Sequence, residues 1–396
     1  MIDLQPEVKW FMRPYLVNFI IQMHSSLKLK SQTLFLTWNI IDRYCAKRIA
    51  FKQHYQLIGC TALWIASKYE DKKSRVPTVK ELNLMCSNVY DDSMFREMEI
   101  HILSTLNWSI GAINLEDILQ LAVKYSDPDG KELLNKPLDL YKSNTPTVSA
   151  ILAVSRYLCE LTLYNRVYLT YQTSIIGITC FLMSCSILNM DVGSNYINEI
   201  YQIFENLMND TKIFNMDNNE ENIKPKNQNY GPFVSGFNGL DTINQIREIS
   251  FNLFKSILNP SEVLIEKYTT LGVMTVVKRF IQDNDLYQID LSLLSNDCEG
   301  ETFDITSQYS IELSNLLLNF NDNSPFQISQ QPLQVTNQRD LSIISTSSTD
   351  DSILDPQCDS PSNFSSFSSV SSATSYSFSL NSADYAFMNG LESKII

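Results

Sequence analysis

Along the first 110 residues apolar positions recur with a helical period. Leu16, Phe19, Ile20 and Met23 share one face of the stretch 15–26, and Leu34, Trp38, Ile41 and Cys45 do the same over 31–45. The stretch 54–69 is apolar nearly all round, which predicts a central helix wrapped by the others. Pro77-Thr78 opens a short helix over 79–86. Asp91, Asp92 and Ser93 then offer an N-terminal cap to a helix over 94–106 that turns Phe95, Met98, Ile102 and Leu106 inward. Strand signals are scarce, so the predicted fold class is all-α, a bundle of helices joined by short polar turns.

The pattern is written twice. Shifted by 118 residues without gaps, Leu57-Ile58-Gly59-Cys60-Thr61 falls on Ile175-Ile176-Gly177-Ile178-Thr179. Leu63 then falls on Phe181, Ile65 on Met183, Leu34 on Leu152 and Asp42 on Glu160. A glycine at the same place in two apolar helices allows a neighbouring helix to approach closely. The second set follows a linker around 126–130. It is interrupted over 209–238, an Asn-rich stretch with Pro225, Gly231, Pro232 and Gly236 that reads as a loop, and resumes over 242–258 and 261–268. From about 296 Ser, Asn, Gln and Asp dominate, and SNFSSFSSVSSATSYSFSL at 362–380 is of low complexity. Such a composition buries too little apolar surface to offset its ordering entropy. The expected organisation is a bundle over 1–110, a second over 111–295 and a disordered Ser-rich tail over 296–396.

Charge sharpens this division. The net charge is −14, and Arg339 and Lys394 are the only basic residues after Arg279, against 16 acidic ones, so the preceding body is balanced at 28 of each sign. A neutral body argues against sequence-independent nucleic-acid binding, which needs clustered Lys and Arg. The eight cysteines contain no CxxC pair, and His24, His54 and His101 have no metal-ligand spacing. Free buried thiols fit better than disulfides or zinc, and no apolar leader opens the chain. Val167 to Met190 carries no charge and is long enough to span a bilayer, but its Thr, Ser, Gln and Asn content favours a helix buried inside the second bundle. No phosphate loop, nucleophile elbow, zinc pattern or dinucleotide fingerprint is present, so a binding or regulatory module without cofactor is expected rather than an enzyme.

MRPYL (12–16), FLTWNIIDRYCAKR (35–48), YQLIGCTALWIASKYED (55–71) and FREMEIHILSTLNW (95–108) resemble, in order and spacing, the cyclin box. RYLCELTLYN (156–165) in the second copy resembles the C-terminal cyclin fold. IDLQPEV near the start, YDDSMF (90–95), LNWSI (106–110) and the Ser-rich tail look most like fungal G1 cyclins of the Cln type. The resemblance implies that Lys68 and Glu99 contact a cyclin-dependent kinase beside its C-helix. The plain alternative is two surface charges worth under ~1 kcal/mol to folding. Lys68 falls on Ser186 in the second copy, so the fold does not require the lysine. Arg13 and Asp42 match an ion pair that ties the first two helices together, with Pro14 placing the start of the first helix near Arg13. Met12, Tyr15, Leu16, Phe19 and Gln56 map onto a patch that docks substrate peptides.

The tail has its own implied chemistry. Ser324 and Ser360 precede prolines, and Ser347 and Ser348 each have an aspartate three residues on. Phosphates there would offer acceptor oxygens to an arginine cluster on a ubiquitin ligase. The expected function is activation of a cyclin-dependent kinase for G1/S progression, in nucleus and cytoplasm, with lifetime set by the tail and no nucleic-acid or membrane partner. The rivals are a tandem cyclin-fold transcription factor, which lacks its basic face here, and a helical scaffold without a kinase.

Overall fold

The computed structural model describes residues 2–126, 146–189, 239–294 and 303–319. Among the described residues every regular element is helical. The first bundle comprises α1 (Arg13–Ser26), α2 (Ser31–Lys47), α3 (Lys52–Glu70), α4 (Val79–Met85) and α5 (Asp92–Thr105). Pro14 lies in the first turn of α1, where its missing N–H costs no helical bond. Thr78 and Glu81 form a capping box at α4: the Glu81 N–H donates to Thr78 Oγ1 (3.3 Å) and the Thr78 N–H to Glu81 Oε2 (2.7 Å). The cap expected at α5 is present by position only, because Asp91 makes no side-chain bond to the helix. α3 is the central helix. Every residue from Leu57 to Ser67 is buried, and α1, α2 and α5 pack around it.

The second bundle comprises α6 (Leu115–Ser126), α7 (Pro146–Thr162), α8 (Thr173–Ile187), α9 (Gly239–Leu258), α10 (Glu262–Thr269), α11 (Val273–Asp283) and α12 (Gln308–Leu318). Its centre is α8, buried from Ile175 to Ile187 and contacted by α6, α7, α9, α11 and α12. This accounts for the uncharged stretch: among the described residues no helix is long and apolar enough to cross a membrane. The paired glycines do equivalent work. A Cβ at Gly59 would lie 2.9 Å from Leu16 Cδ1, and one at Gly177 would lie 2.5 Å from Ile118 Cγ2, so each glycine admits an aliphatic side chain from its bundle's first helix.

α1 packs on α10 and α2 on α6, so the two bundles share a junction. There the Tyr164 hydroxyl donates to Asn18 Oδ1 (2.7 Å) and meets Ser261 Oγ (2.8 Å) at the start of α10. The six described cysteines are free and buried, with Cys60 and Cys86 sulfurs 3.3 Å apart. Burial pushes the Cys60 thiol well above its ordinary range.

One boundary is corrected. The tail expected from 296 begins too early, since residues 303–319 fold onto the second bundle. Leu313, Leu317 and Leu318 are buried, and α12 packs on α8 and α9. Its serines disguised it: Ser310 and Ser314 are fully buried, and Ser314 Oγ satisfies itself on the Ile311 carbonyl (2.9 Å). The linker over 127–130, the loop over 209–238, and Ser324, Ser347, Ser348 and Ser360 lie outside the described residues.

Candidate partner-binding face

The last turn of α3 and the middle of α5 meet at the surface. Lys68 Nζ donates to Glu99 Oε1 at 2.6 Å, and the lysine side chain remains 37% exposed. The pair predicted from sequence is therefore brought together. One helical turn before Lys68, Trp64 turns its ring under the ammonium, with Nζ 3.1 Å from the ring centroid. The neighbours along the chain are apolar and exposed: Tyr69 after Lys68, Ile100 after Glu99, and Trp108 and Ile113 beyond α5. A Cβ at Gly111 would run into the Tyr69 hydroxyl, so this glycine leaves room for the tyrosine. Trp108 sits at φ 58°, an uncommon conformation for a bulky residue. Its N–H caps the Leu103 carbonyl at 2.9 Å while its ring faces solvent. A charge pair on segments that also expose aromatic and aliphatic side chains is suited to contact with another protein.

Arg13 and Asp42 are also together, but inside. Arg13 Nη1 and Nη2 donate to the two Asp42 oxygens at 2.5 and 3.0 Å, and the guanidinium lies 4.6 Å from the Trp38 ring centroid. Sequence reasoning missed the third bond: Arg13 Nε donates to the Leu163 carbonyl at 2.6 Å, tying the first bundle to the end of α7. Burial, the largest influence, works against the guanidinium charge, but the charge and hydrogen bonds of Asp42, with smaller contributions from Tyr55 and Cys45, outweigh it, so the Arg13 pKa is raised.

The five residues expected to dock substrate do not form one exposed patch. Met12, Leu16 and Phe19 are buried in the core, because this face of α1 is the one that packs on α3. Tyr15 remains exposed, and Gln56 is half-buried with its Oε1 accepting from the Tyr90 hydroxyl (3.2 Å).

The second bundle repeats the frame with different side chains. Glu160, at the place of Asp42, accepts from Lys267 (2.6 Å) and from the Tyr268 hydroxyl (2.8 Å). Arg156, at the place of Trp38, pairs with buried Glu116. Ser186, at the place of Lys68, is buried, and its hydroxyl donates to the Leu316 carbonyl of α12 at 2.9 Å. The seam left open on the first bundle is thus closed on the second by this chain's own last described helix.

A family profile described as the cyclin N-terminal domain matches residues 1–111. The G1/S-specific cyclin CCN1 of Candida albicans is 39% identical over 401 residues, covering 81% of this chain; the chain spans 57% of that relative's length. Cyclin puc1 of Schizosaccharomyces pombe is 46% identical over 106 residues, covering 27% of this chain and 30% of that protein. A viral cyclin from herpesvirus saimiri aligns in structure with a TM-score of 0.37 at 21% identity, covering 46% of this chain and 73% of that one. With the motif run over 12–108 and the central helix built twice, the profile and the sequence relatives identify residues 1–111 as a cyclin N-terminal domain and make the chain similar to the fungal G1 cyclins.

Proposed function

We propose that this chain is the regulatory subunit of a cyclin-dependent protein kinase and promotes G1/S progression without catalysing a reaction itself. The observation that carries the reading is the Lys68–Glu99 pair, surface-placed at the α3–α5 seam, with Tyr69, Ile100, Trp108 and Ile113 exposed along the same two chain segments. The kinase C-helix docks on this seam, with Lys68 and Glu99 bonding its backbone groups as well as each other. Held there, the C-helix completes the kinase's own Lys–Glu ion pair and the activation loop opens. The surface pair contributes little to folding, which supports a role in contacting the partner.

The segment beyond residue 319 sets abundance in this reading, through phosphorylation at Ser324, Ser347, Ser348 or Ser360 and capture by a ubiquitin ligase in nucleus and cytoplasm. The test of the central reading is Lys68→Ala with Glu99→Ala in the full chain. The variant keeps its helical circular dichroism and loses co-purification with a recombinant fungal cyclin-dependent kinase. Kinase binding at the wild-type level would remove the assignment.

A further inference from the structure

Trp64 lies beneath the proposed kinase-binding pair, and sequence reasoning gave it no role. Its ring is nearly buried in the first bundle, at 9% exposure, and the lysine ammonium lies over its face. Lys68 is held at two points at once, by the ring centroid 3.1 Å below Nζ and by Glu99 Oε1 at 2.6 Å. A lysine stem has four rotatable bonds, and fixing it costs entropy that exposed ion pairs alone do not recover.

The internal repeat provides an independent comparison. With the same 118-residue shift, Trp64 falls on Leu182 and Lys68 on Ser186. Leu182 and Ser186 are both buried, and that seam is capped by α12. The bundle therefore packs with leucine at this position. Where the lysine is absent the indole is absent too, and where the seam is open both are present. The geometry points to Trp64 as a positioning residue: it pre-sets the Lys68 ammonium against Glu99, so that the partner meets an ordered charge pair and does not itself have to order a free lysine. This rests on the kinase-binding reading for its consequence, but the geometry of Lys68 is testable without a kinase.

The experiment uses the full chain with Trp64→Leu, Trp64→Phe, Lys68→Met and the Trp64→Leu/Lys68→Met double variant. Lysines are labelled with ¹³C-methyl groups, and the Lys68 resonance is identified by its loss in Lys68→Met. The expected resonance is ring-shifted upfield of the other lysines, returns to them in Trp64→Leu and stays shifted in Trp64→Phe. Affinity for a recombinant fungal cyclin-dependent kinase falls about 2- to 30-fold in Trp64→Leu, the range of a cation–π contact, and recovers in part in Trp64→Phe. In the Lys68→Met background Trp64→Leu has no further effect. A Lys68 resonance among the unshifted lysines overturns the inference. So does an equal loss of affinity from Trp64→Leu with or without the lysine, which would make Trp64 a packing residue. If Lys68→Met leaves kinase binding intact, the kinase assignment fails, and the resonance alone still decides whether Trp64 positions Lys68.

Discussion

The two ion pairs of the first bundle differ in what they hold, and Arg13→Met separates them. Methionine retains the packed stem of the arginine but removes the two bonds to Asp42, at 2.5 and 3.0 Å, and the 2.6 Å bond to the Leu163 carbonyl. Asp42, 18% exposed, is left as a largely buried carboxylate without its counter-charge. Breaking a buried pair from one side costs about 3–5 kcal/mol. Whole domains are stable by only about 5–15 kcal/mol, so Arg13→Met remains folded but with little reserve. At roughly 2–4 °C per kcal/mol, the melting temperature falls by roughly 6–20 °C. Lys68→Met, by contrast, loses an exposed contact worth under ~1 kcal/mol and shifts the transition by a few degrees at most. Thermal unfolding followed by circular dichroism at 222 nm reads both. The double variant Arg13→Met/Asp42→Leu removes the orphaned charge and recovers much of the loss. A double variant as unstable as the single, or an Arg13→Met no less stable than Lys68→Met, would refute the claim that the interior pair carries the fold.

Other consequences follow from the same structure. Gly177→Ala drives a methyl to within 2.5 Å of Ile118 Cγ2 and 2.8 Å of its Cβ, which has no room to turn away, so urea unfolding should show a net loss of about 1–2 kcal/mol after the helix-propensity gain. Gly59→Ala meets only the flexible ends of Leu16 (2.9 Å) and Ile20 (3.2 Å) and should be near neutral in the same titration. His24 donates from Nε2 to the Lys30 carbonyl (2.8 Å), and burial, then the Lys267 charge, lower its pKa from 6.5 to about 4. The unfolded chain takes up this proton first, so the contribution is intact above about pH 6.5 and about 3 kcal/mol is lost as pH falls towards 4; His24→Asn should flatten that slope in pH-dependent urea melts. A chain ending at 319 should melt as the full chain does, whereas one ending at 302 uncovers α8 and α9 and should lose several kcal/mol or aggregate. Removal of residues 320–396 should lengthen the half-life in a cycloheximide chase; an unchanged half-life would sink the degradation reading.

The elements legible in the sequence were those in which periodicity and burial agree. The helix over 54–69 announced itself because a helix surrounded by others must be apolar all round, and α8 did so for the same reason. The Lys68–Glu99 pair was legible because its motifs are dense and its helices are joined by short turns. Three features were not. α12 is built on buried serines whose polar groups are satisfied within the helix, so its composition matches that of the tail. The Arg13–Leu163 bond ends on a backbone carbonyl, which no side chain in the sequence records. The burial of Met12, Leu16 and Phe19 was not legible because a face assigned by resemblance is a fixed set of positions, whereas burial depends on what fills the opposing helix. Here Gly59 leaves room for Leu16 and Ile20 of α1 against α3.

The repeat also shows, among the described residues, how the two bundles differ at the end of the central helix. Both bundles bury a central helix with a glycine against the first helix and an acid on the second helix, Asp42 or Glu160, gripping a base. These shared features are what the frame needs. What differs lies at the far end of the central helix, where Trp64 and Lys68 face an open surface and Leu182 and Ser186 lie under α12. An uncovered apolar seam has a free-energy cost in either bundle unless something occupies it. The second bundle meets that cost from within, through Leu313 and Leu317, and so has no need of a charged, oriented contact. The first leaves the seam exposed and marks it with an ordered ion pair, which is the arrangement required if its occupant is another chain.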